Sequence, residues 1–146
     1  MKTQWIVVAD EAIARILTWP EVGDELDPVE EMTDPDAHAR KADMRHDAQG
    51  RRGGSVTASA GDDEERREAS AFARRLADRL ARALEEKRYD ELCLIAAPRF
   101  LGLLRPLLSN GVAKAVGTTI DKDLVHESNA DLAKRLAKVR PRYPVI

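Results

Sequence analysis

The chain has 146 residues, a length typical of one domain with a single hydrophobic core, and residues 1–146 are predicted to form that domain. Its 24 cationic and 26 anionic side chains leave a net charge of −2. This balance excludes a chain-wide attraction to nucleic acid or anionic lipid, so such a partner needs a local basic surface. No apolar run reaches the length of a membrane span or a secretory signal. We therefore expect a cytoplasmic protein without membrane contact.

The first part of the chain has three candidate strands joined by short turns. Residues 5–9 are continuously apolar and rich in β-branched side chains, which predicts a central strand buried on both faces. Asp10 follows in a turn, and residues 14–19 predict a second strand. Residues 26–33 are acidic and include Pro28, a composition typical of an edge strand. Such short links predict an antiparallel meander.

A long helix is predicted after a segment rich in glycine and arginine. Residues 34–38 predict a short helix, and the segment at about 43–61 predicts a flexible loop. Residues 62–88 repeat apolar side chains at helical spacing, with Asp62 as the predicted cap. Four arginines fall on the outer side of this helix: Arg67, Arg74, Arg75 and Arg82. We interpret them as a solvated face, with an extended basic surface as the alternative.

The fourth predicted strand leads directly into a helix. Residues 92–97 are wholly apolar and include Cys93, the single cysteine, which is predicted to be a buried hydrophobe rather than a reactive thiol. Pro98 follows at a position suited to the first turn of a helix. Residues 110–111 are predicted to end that helix.

The remaining elements complete an alternating pattern. Residues 112–120 predict the fifth strand, and Ser128 with Asp131 is predicted to cap the last helix. The order is then β-β-β-α-β-α-β-α. Strands linked by helices imply parallel crossovers, so helices cover both faces of a mixed five-stranded sheet. This is a three-layer α/β fold of the ribonuclease-H-like class.

The sequence shows no recognisable catalytic apparatus. A ribonuclease-H-like fold raises the question of a two-metal nuclease, which needs several carboxylates around its ions. Asp10 ends the first strand, where such an acid would lie, but the fourth strand ends in residues 96–99 (AAPR) without an acidic partner. Zinc spacing, phosphate-binding glycine loops and the nucleophile elbow are also absent. We interpret Asp10 as a turn acid and expect no catalytic residue, metal or cofactor.

One candidate binding segment lies in the predicted loop. Arg51 and Arg52 are followed by Gly53 and Gly54, so the backbone can approach a phosphate closely and the arginines can grip it. A flexible, solvated loop is the alternative interpretation.

A second candidate segment begins where the fourth strand ends and continues to Arg105. Arg99 lies in the first turn of its predicted helix, at the sheet edge where open α/β sheets bind ligands and where helix N-termini attract anions. A ligand crevice between Asp10 and Arg99 is one interpretation. The other is that the whole segment is packing, with Gly102 permitting close contact between helix and sheet.

Several segments resemble motifs of the bacterial family of proteins required for attachment to host cells. They are residues 5–10 (WIVVAD) with 14–16 (ARI), 72–76 (FARRL), 97–105 (APRFLGLLR) and 121–124 (DKDL). Residues 97–105 are the most specific of these, and together the segments span nearly the full chain. The resemblance implies a role in host attachment, which is indirect if the protein is cytoplasmic.

That family is similar in turn to the middle domain of eukaryotic and archaeal class I peptide-chain release factors. In those proteins a GGQ loop precedes a long helix and enters the peptidyl-transferase centre. Residues 53–55 (GGS) occupy a comparable place here, but the glutamine is missing, so peptide release is not implied. What the resemblance implies is binding to the ribosome or structured RNA through a basic loop.

Three hypotheses follow. The leading one is a non-enzymatic cytoplasmic binding module associated with ribosome or RNA. The second is a protein-interaction or regulatory domain, whose surfaces for a protein partner would be the acidic residues 26–33 and the charged long helix. The third is an enzyme with a site between Asp10 and Arg99.

Overall fold

The computed structural model describes residues 2–34 and 58–139. Its strands are β1 Gln4–Ala9, β2 Ile13–Thr18, β3 Asp27–Thr33, β4 Glu91–Ala96 and β5 Val116–Ile120. Its helices are α1 Ala58–Glu85, α2 Pro98–Leu104, α3 Asn110–Ala115 and α4 Asn129–Val139, with a 3₁₀ turn, Arg105–Leu107, between α2 and α3.

The strands form one mixed sheet in the order β3-β2-β1-β4-β5. β2 is antiparallel to both β1 and β3, whereas β4 is parallel to both β1 and β5. Each of the six residues of β1 is buried, as predicted for a central strand. β3 is an edge strand, and its register shifts where Pro28 lies opposite Leu17. An edge position suits Pro28 because proline cannot donate a ladder hydrogen bond.

Helices cover both faces of the sheet. One face packs against α1, α2 and α3, in a core that includes Val7, Leu94, Leu76 and Phe100. The other face packs against α4 through a second core that includes Cys93, which is 1% exposed. The predicted three-layer α/β fold and the burial of Cys93 are therefore confirmed.

The long helix begins earlier and ends earlier than predicted. It begins at Ala58, so residues 58–61 are helical rather than part of the predicted loop, and Asp62 is not the cap. The alanines at its start favour this extension. The helix ends because Lys87 takes a left-handed conformation with φ 61°, and the amide of Arg88 bonds back to the Ala83 carbonyl. The rest of the predicted 43–61 loop, and residues 35–38, lie outside the described residues.

The boundary between α3 and β5 was also predicted wrongly. Residues 110–111 begin a helix instead of ending one, and β5 starts at Val116 rather than at residue 112. The Ser109 hydroxyl accepts a hydrogen bond from the Val112 amide at 3.2 Å and caps this helix. Val112 is buried by tertiary packing, which overrides its preference for strands. The predicted Ser128 cap of the last helix is confirmed, because its hydroxyl accepts from the Asp131 amide at 3.0 Å.

An ion pair fastens the edge strand β3 to α1. Arg79 donates from Nε and Nη2 to the Glu30 carboxylate, with a shortest distance of 2.7 Å, and the two side chains are 22% and 31% exposed. The hydrogen bonds from Arg79 hold the pKa of Glu30 below its ordinary value of 4.5, against a smaller opposing effect of burial. A bidentate ion pair of this kind fixes the relative orientation of the two side chains in addition to pairing their charges.

We expect Glu30→Gln to lower the free energy of unfolding by about 1 kcal/mol at neutral pH. Because the folded-state pKa of Glu30 is lowered, the carboxylate stabilises the fold above pH 4.5. That contribution is lost as the pH falls through the folded-state pKa, so the difference between the two proteins should shrink towards zero at a pH well below 4.5. Urea unfolding at both pH values measures the difference. Glu31→Gln, at an exposed position of the same strand, is the control. A difference that does not depend on pH would contradict the assignment.

Candidate functional site

The carboxyl ends of the parallel strands meet at one edge of the sheet. Ala9 pairs with Ala96, and Ile95 pairs with Ile120. Asp10 and the start of α2 therefore follow neighbouring strands at the same edge, as the sequence predicted. This is the edge at which open α/β sheets place ligand crevices.

The side chain of Asp10 closes the turn between β1 and β2. It is 3% exposed, and its Oδ1 accepts hydrogen bonds from the amides of Ala12 and Ile13 at 2.8 and 2.9 Å. The backbone amide of Asp10 donates to the Ile13 carbonyl at 2.9 Å. These bonds give Asp10 the role of a turn acid. Within residues 2–34 and 58–139, no group of three or more His, Cys, Asp or Glu side chains could hold a metal ion.

Arg99 and Arg105 lie at the two ends of α2, and both are exposed. Pro98 occupies the first turn of α2, as predicted, and Ala97 precedes it without a side-chain cap. Arg105 begins the 3₁₀ turn that follows. The buried Asp10 is therefore held in its own turn, whereas Arg99 faces solvent at the same edge. The other predicted binding residues, Arg51, Arg52, Gly53 and Gly54, lie outside the described residues.

Gly102 does not permit a close contact between helix and sheet, so that interpretation is wrong. It is exposed, and a Cβ built on it would meet no heavy atom within 4 Å. A larger residue would therefore fit the fold at this position and would favour the helix by about 1 kcal/mol. The contact of α2 with the core comes instead from Phe100, Leu101 and Leu104, which are buried.

The surface of α2 and α3 carries cationic side chains and no acidic ones. Residues 92–120 contain three charged residues, Arg99, Arg105 and Lys114, and neither Asp nor Glu, in a chain whose net charge is −2. All three are exposed. In the part of the chain that the structure describes, none of their side chains forms an ion pair. We call the exposed side of residues 98–115 the α2–α3 surface.

The arginines on the outer side of α1 form a more mixed surface. The four predicted there, Arg67, Arg74, Arg75 and Arg82, are exposed. Arg75 donates to the Thr33 carbonyl at 3.4 Å and covers the ring of Phe72, so it is turned towards the edge of β3. Arg67 and Arg74 line a shallow hollow that also includes Asp63. Acids interrupt this face, so it is less uniformly basic than the α2–α3 surface.

Arg15 is the main polar link between β2 and the segment before α4. The sequence predicted no such role for it. Its Nη1 donates to the carbonyls of Val125 and Glu127, each at 2.8 Å, and its Nη2 donates to Oδ1 of Asn129. The sequence offered two signals: an arginine between apolar residues of a predicted strand, and its place in the family-like segment 14–16 (ARI). Its function is to hold the α4 layer on the sheet.

None of the described helices is both long enough and apolar enough to cross a bilayer.

A family model matches almost the whole of this architecture. The model is described as "Protein required for attachment to host cells" and matches residues 5–136, from the start of β1 into the last helix. No curated protein matches the chain. The match includes the hairpin closed by Asp10, the Arg15 link and the complete α2–α3 surface. The chain therefore belongs to the family of proteins required for attachment to host cells.

Proposed function

We propose that this member of the family is a non-enzymatic RNA-binding module of the cytoplasm, associated with the ribosome or another structured RNA. The α2–α3 surface contacts the phosphates, and the contribution to host attachment is indirect. The observation that carries the proposal is the set of exposed cations in residues 92–120, a stretch that contains no acid. Arginine and lysine are the side chains that neutralise RNA phosphates.

Two arginines elsewhere in the chain already have an anionic partner. Arg79 and Arg135 are already engaged by the carboxylates of Glu30 and Glu127, at 2.7 and 2.6 Å. Each would have to give up that partner before binding a phosphate. Arg99 and Arg105 have no such competitor among the described residues. Their guanidinium groups can contact a phosphate without breaking an existing pair.

Two sequence expectations belong to the same proposal. The likeness to the middle domain of peptide-chain release factors makes ribosomal RNA the first ligand to test. Arg51 and Arg52, which lie outside the described residues, would add two further cations to those that contact the RNA.

Reversing the charge of Arg105 tests the proposal. We expect Arg105→Glu to weaken binding to a ribosomal RNA fragment by about tenfold or more at ~0.1 M salt, because it removes one phosphate contact and adds repulsion. Fluorescence anisotropy with labelled RNA measures the dissociation constant. The residue is exposed, so thermal unfolding should not change.

The matched control is Lys138→Glu, the same change of charge at an exposed residue of α4, in the opposite layer. It should retain most of the affinity. An equal loss in both variants would show a response to net charge alone. If the wild-type protein fails to bind RNA even at low salt, the proposal is wrong.

A further inference from the structure

We infer that the RNA held by the α2–α3 surface is double-helical, and that the protein contacts its backbone rather than its bases. The inference rests on the proposed RNA binding and adds the class of RNA. Proteins that bind single-stranded RNA generally stack its bases on exposed aromatic side chains. The positions of the aromatic side chains among the described residues therefore indicate which class of RNA the surface can bind.

The aromatic side chains of the described residues are buried or, in the case of Trp19, partly buried. Four of them are at most 3% exposed: Trp5, Phe72, Tyr89 and Phe100. Trp5 and Tyr89 stack on each other at 4.9 Å, and Phe72 packs against Phe100 at 6.0 Å. The fifth, Trp19, packs against the core on the α4 face and donates its indole N–H to Gln4 at 2.7 Å. No aromatic ring within the described residues is thus offered to a base at the α2–α3 surface.

The cations of the α2–α3 surface favour a ligand whose phosphates are already held in fixed positions. These cations lie on α2, on the 3₁₀ turn that follows it and on α3, and buried side chains such as Phe100 and Val112 hold the two helices in place. A flexible single strand would have to be ordered against such a surface, without stacking to offset the lost conformational entropy. A duplex presents its phosphates already ordered.

Gly102 fits the same interpretation. It lies between Arg99 and Arg105 on α2, is exposed, and has open space where a Cβ would lie. The fold gains nothing from a glycine in this helix, which costs stability relative to other residues. On the surface, however, the missing side chain lets a sugar-phosphate backbone approach the helix closely.

The surface lacks the apolar side chains that insertion into a membrane requires. The large hydrophobic residues that are prominently exposed among the described ones are Val22 and Val139, and neither belongs to residues 98–115. Leu103, Leu107 and Leu108 are only partly exposed and pack against the core. An anionic bilayer is therefore a poorer match than a polyphosphate backbone.

The test compares ligands with equal numbers of phosphates. Wild-type protein is titrated into a blunt RNA duplex of about 16 base pairs and into an unstructured single strand with the same total number of nucleotides. We expect the duplex to bind at least fivefold more tightly at the same salt concentration. Vesicles of phosphatidylcholine and phosphatidylserine form a third arm, for which we expect no binding.

The variant Gly102→Gln adds a neutral side chain at the proposed contact. We expect a raised melting temperature together with a several-fold loss of duplex affinity, a combination that a purely structural role of Gly102 would not give. Unchanged duplex affinity in this variant would overturn the backbone contact at α2.

The outcomes separate the two proposals. Equal or tighter binding of the single strand would overturn the inference and leave the proposed RNA binding intact. Binding to neither RNA would overturn both proposals, and binding to vesicles alone would do the same.

Discussion

Replacing Phe100 with alanine is expected to lower the free energy of unfolding by about 3–5 kcal/mol. The side chain is fully buried, and its ring lies 6.0 Å from that of Phe72 on α1. It is the largest side chain by which α2 contacts the core, so truncation removes apolar burial and leaves a cavity between two helices. Urea unfolding followed by circular dichroism measures the effect.

The control for this prediction keeps most of the volume. Phe100→Leu should lose only about 1–2 kcal/mol, because a branched aliphatic side chain refills much of the space. Since α2 carries Arg99 and leads directly into Arg105, Phe100→Ala should also weaken RNA binding under conditions where the variant remains folded. A loss of stability below about 1 kcal/mol for the alanine variant would show that Phe100 does not anchor the helix.

Replacing Arg15 with alanine is expected to cost about 3 kcal/mol of unfolding free energy. The change removes hydrogen bonds to the carbonyls of Val125 and Glu127 and to the side chain of Asn129. Hydrogen bonds from a charged donor are each worth more than neutral ones, and the two carbonyls lose a partly buried partner. In a protein of this size the melting temperature should fall by about 10 °C.

Two variants separate the geometry of Arg15 from its charge. Arg15→Lys keeps the charge but replaces the planar fork with a single ammonium group, so it should recover less than half of the loss. Arg135→Ala removes an exposed arginine that pairs with Glu127, in the same segment, and should change stability little. Equal effects of Arg15→Ala and Arg135→Ala would contradict a special role for Arg15.

The sequence predicted those elements whose cause is local. The apolar run of β1, the proline in the first turn of α2 and the capping hydroxyl of Ser128 are each encoded within a few residues. The helix at Asn110–Ala115 was missed because Asn110 and Gly111 are typical of a helix end and Val112 favours a strand. Tertiary packing also favours the helix. Gly111 lies so close to α1 that a Cβ built on it would be 3.3 Å from the side chain of Leu84.

The polar links between layers were not predictable for a related reason. Arg15 and Val125 are 110 positions apart, and Arg79 and Glu30 are 49 positions apart. No local pattern identifies such partners, because their proximity is a result of the fold. The α2–α3 surface could be predicted from the sequence only in part. The absence of acids from residues 92–120 is visible in the sequence, but the exposure of Arg99, Arg105 and Lys114 depends on how α2 and α3 pack.

The measurement that tests RNA binding by the α2–α3 surface most directly is the salt dependence of the RNA dissociation constant. It compares the wild-type protein with a variant carrying Arg99→Gln, Arg105→Gln and Lys114→Gln together. The slope of log Kd against log salt should fall by about 2–3 in the variant, close to one for each lost phosphate contact. The double variant Lys134→Gln and Lys138→Gln, on α4, should keep the wild-type slope. A triple variant whose slope equals that of the wild type would contradict the account.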